Sequence, residues 1–159
     1  MNPLVIYYSR TGNTKMIAEG LAEALSCPVE GLVDMQKRSG IVGWLRSGKQ
    51  AAKGEITELE PLEHTPGDFD LVIIGTPVWA GTMSTPVRSI LSAHRDALPE
   101  VAFFCTSGGD KTAQTFTDMQ ECCGQSPLAT LAVSRAMIKK KEWRPAVERF
   151  ITEVQDEGS

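Results

Sequence analysis

Short apolar runs alternate with amphipathic stretches along this chain, a pattern that predicts strands separated by helices. The first run, Val5-Ile6-Tyr7-Tyr8, precedes a helix legible in Met16, Ile17, Leu21, Ala24 and Leu25, which share one face. Val29 to Val33 reads as a short second strand. Leu71-Val72-Ile73-Ile74-Gly75 is nearly continuous in apolar character, the mark of a strand covered on both faces. Val101-Ala102-Phe103-Phe104-Cys105 repeats that pattern, and Leu128 to Val133 repeats it more weakly. Helices are predicted near Thr85 to His94, Thr112 to Cys123 and Glu142 to Val154, the last with Val147, Phe150, Ile151 and Val154 on one side. Five such units fit an α/β fold in three αβα layers, with a five-stranded parallel sheet in the order 2-1-3-4-5 and a single domain over residues 1–159.

In an open sheet of that order, ligands sit beyond the carboxyl ends of the strands, where the strand order reverses between strands 1 and 3. Three strand-end segments meet there: Ser9 to Thr14, Thr76 to Gly81, and Thr106 to Asp110. In the first, a strand stops in hydroxyl and amide side chains and a helix begins at once, which is how a protein holds a phosphate. The first N–H groups of a helix lack intrahelical partners and carry the positive end of the macrodipole. Ser9, Thr11 and Thr14 add hydroxyl donors, Asn13 an amide, and Gly12 a backbone free of Cβ. Arg10 lies within the same loop. No G-x-x-x-x-G-K-[ST] occurs and no G-x-G-x-x-G follows the first strand, so the loop suits a monophosphate rather than a nucleoside triphosphate or a dinucleotide.

In the second segment, Thr76-Pro77-Val78-Trp79-Ala80-Gly81, Pro77 stiffens the backbone. Trp79 stands among small residues where core packing explains it poorly, and it offers a flat apolar plate for a planar ligand. Ala80 and Gly81 leave the backbone free to approach that ligand or to reorient beside it. The third segment, Thr106-Ser107-Gly108-Gly109-Asp110, supplies hydroxyls and backbone N–H groups to a polar rim. Together the three describe a site for a phosphorylated planar heterocycle.

On these residues the chain resembles the flavodoxin family. The family's phosphate motif, [TS]-x-T-G-x-T, is met by Ser9-Arg10-Thr11-Gly12-Asn13-Thr14, and Thr76-Pro77-Val78-Trp79-Ala80-Gly81 looks like its flavin loop. The resemblance implies FMN as cofactor, its phosphate on Ser9 to Thr14, its ring along Thr76 to Gly81 with Trp79 stacking, and Thr106 to Gly109 on the opposite side. It further implies electron transfer between redox partner proteins. Three departures qualify the role. Where electron-carrier flavodoxins stack a tyrosine from the third loop, this chain has Ser107-Gly108-Gly109. Its net charge of −4 is milder than theirs, and Met35 to Glu55 is an insert relative to the shortest members.

The composition is ordinary for a soluble globular protein, 42% apolar and 23% charged. A pI of about 5.2 gives no electrostatic case for nucleic acid or an anionic membrane. No apolar stretch approaches the roughly 20 residues that span a bilayer, and the N-terminus lacks a basic leader, so the expected compartment is the cytoplasm. Cys27, Cys105, Cys122 and Cys123 have no metal-site spacing and read as buried small hydrophobes. His64, in a Pro-flanked loop, and His94, at a helix end, read as surface residues, and no residue is assigned to catalysis or to a metal.

In the insert, Ile41, Trp44, Leu45, Gly48 and Ala52 recur at helical spacing, so a helix is expected with that face packed on the domain; covering the ligand or forming a homodimer are its other possible uses. Lys37, Arg38, Arg46, Lys49 and Lys53 read as its solvated side, as does Lys139-Lys140-Lys141 before the last helix. Two other functions fit the same fold. An NAD(P)H-dependent FMN or quinone reductase would use the flavin face left open by the missing tyrosine. A signalling receiver needs an Asp at the end of strand 3, where this chain has Gly75-Thr76 with Asp70 before the strand instead, so the residues speak against that class.

Overall fold

In the computed structural model, which describes residues 1–36, 38 and 40–158, the three central apolar runs form strands buried on both faces. These are β1 (Pro3–Tyr7), β3 (Leu71–Trp79) and β5 (Glu100–Ser107). Two edge strands flank them, β2 (Val29–Gly31) beside β1 and β6 (Thr130–Ser134) beside β5, all parallel. The edge strands are less buried, and their apolar runs are correspondingly weaker.

Because successive side chains of a strand point to opposite faces, each central strand feeds two cores. Val5, Leu71, Ile73 and Phe104 pack on one side against α1 (Asn13–Leu25) and α6 (Arg144–Glu157), through Ile17, Leu21, Val147 and Phe150. Leu4, Ile6, Val72, Ile74 and Phe103 pack on the other side against α3 (Thr85–Ala93) and α4 (Thr112–Cys123), through Val87, Leu91 and Met119. The result is three layers with the sheet in the middle. A short α5 (Arg135–Lys139), not anticipated from the pattern, follows β6 and is capped by Ser134, whose Oγ accepts from the Met137 N–H at 3.1 Å.

The sheet differs from expectation in its strand number. Among the described residues six strands are present instead of five, in the order β2-β1-β3-β5-β6, with β4 (Thr82–Met83) antiparallel to the end of β3. The cause is that β3 does not stop at Gly75. It continues to Trp79, turns at Ala80-Gly81 and pairs back on itself, Val78 with Met83 and Trp79 with Thr82. Both turn residues have positive φ, 49° at Ala80 and 79° at Gly81, the signature of a type I′ hairpin turn. The segment read as a strand-end loop is therefore a paired hairpin.

The insert is helical, as its spacing predicts, but its orientation reverses the expected one. In α2 (Gly40–Ala52) the buried residues are Gly43, Ser47 and Ala51, one helical turn apart. Ile41, Trp44, Leu45 and Ala52 face outward, and only Gly48 of the predicted stripe is partly covered. Close approach explains the choice: a Cβ at Gly43 would stand 2.5 Å from the Arg38 carbonyl carbon, so only glycine lets the helix lie there. Arg38 is also corrected from the solvated group. Its side chain is 3% exposed and ion-paired with Asp34, 4% exposed. Arg46, Lys49 and Lys53 are exposed as expected, while Lys37 lies outside the described residues.

Candidate functional site

The parallel register aligns Tyr7 with Gly75, and Pro77 with Thr106, so the ends of β1, β3 and β5 open onto one place. There the β1–α1 loop makes its turn at Gly12, which takes φ 103° as the N-cap of α1. Nothing lies within 4 Å of a Cβ built on Gly12, so the backbone conformation, not space, calls for glycine. No side chain caps the first turn of α1 and no acidic residue stands in it. The first N–H groups of the helix thus remain free to meet an anion. Ser9 Oγ accepts from the Gly12 N–H at 3.0 Å, which folds the loop and leaves the Ser9 hydroxyl proton available to donate.

Thr14 has a different role from its neighbours. It is 1% exposed, and its Oγ1 lies 2.8 Å from Thr106 Oγ1, tying the first segment to the third. One hydroxyl donates to the other, which leaves one proton of the pair for another acceptor. Thr76 is likewise internal, with no exposure, and its Oγ1 accepts from the Ser84 N–H at 2.9 Å. That bond pins the hairpin to the start of α3. In the third segment Ser107 Oγ accepts from the Gly109 N–H at 2.9 Å, closing a small turn at the rim.

Two adjoining clefts occupy the convergence. The first, about 140 Å³, is polar and lined by Arg10, Thr11, Asn13, Thr14, Thr106, Ser107 and Gly108, with Pro77, Val78 and Trp79 on its other side. The second, about 360 Å³, is mainly apolar and lies between α2 and the hairpin, walled by Trp44, Leu45, Val78, Trp79 and Ala80. Of the sixteen residues predicted for the site, Ser9, Gly12, Thr76, Gly81 and Gly109 line neither cleft. Ser9, Thr76 and Gly109 hold the segments through hydrogen bonds, and Gly12 and Gly81 make their turns. Trp79 is half-buried; its ring meets Tyr8 edge-on at 5.4 Å and 87°, and the Arg38 guanidinium carbon lies 5.3 Å from its centroid.

Three residues at the polar cleft were not among those predicted for the site: Trp44, Arg135 and Ile138. Trp44 was visible as one member of the α2 stripe, but the stripe was assigned to the core. Arg135 and Ile138 sit on α5, too short to leave a periodic signal. Arg10 and Arg135 bring positive charge to the polar cleft. Arg10 also spans to the insert, its Nε donating to the Arg38 carbonyl at 3.0 Å and its Nη2 to the Gly40 carbonyl at 3.1 Å. The Tyr8 hydroxyl beneath Trp79 titrates above its ordinary value, chiefly because it is buried and secondarily because Asp34 is near. His64 stands apart from both clefts, half-buried with Nδ1 2.9 Å from Glu30 Oε2.

A doubly wound parallel sheet with its cleft at the reversal of strand order has a flavodoxin-like fold, and solved structures agree. A flavoprotein from Lactobacillus acidophilus in complex with FMN superposes with a TM-score of 0.72 at 23% identity, covering 87% of this chain and 97% of that one. Flavodoxin 2 from Bacillus cereus, in oxidised form, gives 0.62 at 13% identity, covering 98% of this chain and 99% of that one. An NADH:FMN oxidoreductase in its apo form gives 0.59 at 13% identity, covering 99% and 89%. At such identities the likeness defines the fold. No protein-family model matches the chain, and no curated protein matches it by sequence. Among the described residues no helix is long and apolar enough to cross a membrane.

Proposed function

We propose that this protein binds FMN non-covalently and carries electrons between redox partner proteins. The observation that carries the reading is the junction of two unlike surfaces at the strand ends. An uncapped helix start with hydroxyls and two arginines adjoins an apolar cleft bordered by Trp79. That donor set fits a phosphate monoester, and the apolar wall fits a planar ring. Thr11, Asn13 and the first N–H groups of α1 would hold the phosphate, with Ser9 and Thr106 adding hydroxyls. Val78, Trp79 and Ala80 would meet the ring. FMN when bound supplies one- and two-electron redox chemistry; the protein supplies orientation and the surrounding charge. The FMN carried by the Lactobacillus acidophilus flavoprotein supports this choice of ligand.

Titration of the ligand-free protein with FMN and with riboflavin tests the reading. FMN is expected to bind about a hundredfold tighter, the worth of roughly two charge-assisted hydrogen bonds to the phosphate. Equal affinity for the two flavins, or none for either, overturns it. The competing reading, an NAD(P)H-dependent FMN or quinone reductase, draws on the third segment, which has no aromatic side chain to cover a ring. Sustained NADPH oxidation with a quinone acceptor decides for the reductase; exchange with a ferredoxin reductase alone decides for the carrier.

A further inference from the structure

The apolar cleft has a second wall that the three strand-end segments do not supply. Trp44 lies on α2 and borders both clefts, as do Arg10, Val78 and Trp79, so the two cavities adjoin at these four residues. Trp44 is 61% exposed, although a tryptophan left in water forgoes a large apolar burial. Its exposure is built in. Gly43, Ser47 and Ala51 fix which side of α2 packs, and the Arg10 bonds to the Arg38 and Gly40 carbonyls hold the start of the helix beside the phosphate loop. The third segment meanwhile offers only Ser107, Gly108 and Gly109, none of which can cover a ring.

We infer that Trp44 is the outer plate of the flavin site, closing on the ring from the insert and opposing the hairpin wall that contains Trp79. The inference rests on the FMN reading above. The occupant is the flavin ring itself, because the apolar cleft shares four lining residues with the phosphate cradle and its volume of about 360 Å³ suits a three-ring heterocycle. The insert then stands in for the missing aromatic of the third segment. Its predicted apolar stripe faces outward because it serves a ligand rather than the core.

The test compares Trp44→Ala and Trp44→Phe with the wild-type chain in titrations with FMN and with riboflavin, together with urea unfolding of the ligand-free proteins. Trp44→Ala is expected to weaken both flavins by the same factor, about 10- to 100-fold, because the plate meets the ring and not the phosphate. Trp44→Phe is expected to recover most of that loss. The ligand-free unfolding midpoint stays unchanged, since the side chain is mostly in water. Wild-type affinity in Trp44→Ala overturns the inference and leaves the FMN reading standing. A loss confined to FMN also overturns it, placing Trp44 at the phosphate. No binding of FMN by the wild-type chain removes both readings together.

Discussion

Replacing Arg38 by alanine probes the contact network on which the outward face of α2 depends. The Arg38 side chain joins three segments from a buried position. Its Nε pairs with Asp34 after β2, and its Nη1 donates to Ser47 Oγ at 3.0 Å and to Gln50 Oε1 at 2.8 Å on α2. Its guanidinium also lies against Trp79 at the end of β3. With 3% and 4% of the two side chains exposed, solvent screens the pair little. Removing the arginine leaves the Asp34 carboxylate with the Gln36 N–H and the Thr57 hydroxyl, each at 2.9 Å, and no countercharge at the pair. Breaking a buried pair in this way costs about 3–5 kcal/mol, against a total of roughly 5–15 kcal/mol for a domain.

Urea unfolding followed by circular dichroism measures that cost, and a double-mutant cycle assigns it. Removing both charges, with Arg38→Met and Asp34→Leu together, is expected to restore most of the stability, because apolar replacement of a whole buried pair is often neutral or better. The cycle should therefore show a coupling of several kcal/mol. A loss below about 1 kcal/mol in Arg38→Ala would mean the pair behaves as a solvated one, and the reasoning from burial would fail.

Three further outcomes are expected. Ala80→Gly relieves a left-handed residue that costs about 1–2 kcal/mol and adds unfolded-state freedom worth about 0.4–1 kcal/mol, so the unfolding midpoint should hold or rise; a fall would contradict the type I′ turn. Gly12→Ala strains the phosphate loop at φ 103°, and should weaken FMN about tenfold while leaving riboflavin binding unchanged, as paired titrations would report. Burial pushes the Cys105 thiol up to about 12 from an ordinary 9.0. The unfolded chain therefore releases this proton first, so stability falls as pH rises from about 9 to 12, at up to about 1.4 kcal/mol per pH unit from this group. Cys105→Ala should flatten that slope, and an unaltered slope would count against the assignment.

The parts of this molecule that were legible in its sequence are those where one physical demand acts alone. Leu71 to Ile74 and Val101 to Cys105 need burial on both faces and nothing else, so their strands appear as apolar runs. Ser9 to Thr14 place hydroxyl and amide groups at a helix start, and the structure keeps that start uncapped. Legibility ends where two demands meet. Thr76 to Gly81 form a hairpin of which Pro77 to Ala80 also wall the clefts, and the hairpin is hidden because Ala80, not Asn or Asp, occupies the first turn position.

The insert shows the sharper form of this conflict. Pattern reading assigns large apolar residues to the core, yet on α2 the packed positions are Gly43, Ser47 and Ala51, and at Gly43 the Arg38 backbone leaves no room for a Cβ. Once small residues take the packed side, the large ones have to lie elsewhere, and the helix presents Trp44 and Leu45 to a cleft instead. The buried Arg38 follows from the same arrangement, since its partner Asp34 and its acceptors on Ser47 and Gln50 come together only after α2 is laid down. Periodicity reports that a helix has two sides; the smaller residues decide which of them touches the protein. An apolar stripe beside a run of small residues is therefore a candidate ligand surface, and here it borders the same cleft as Trp79.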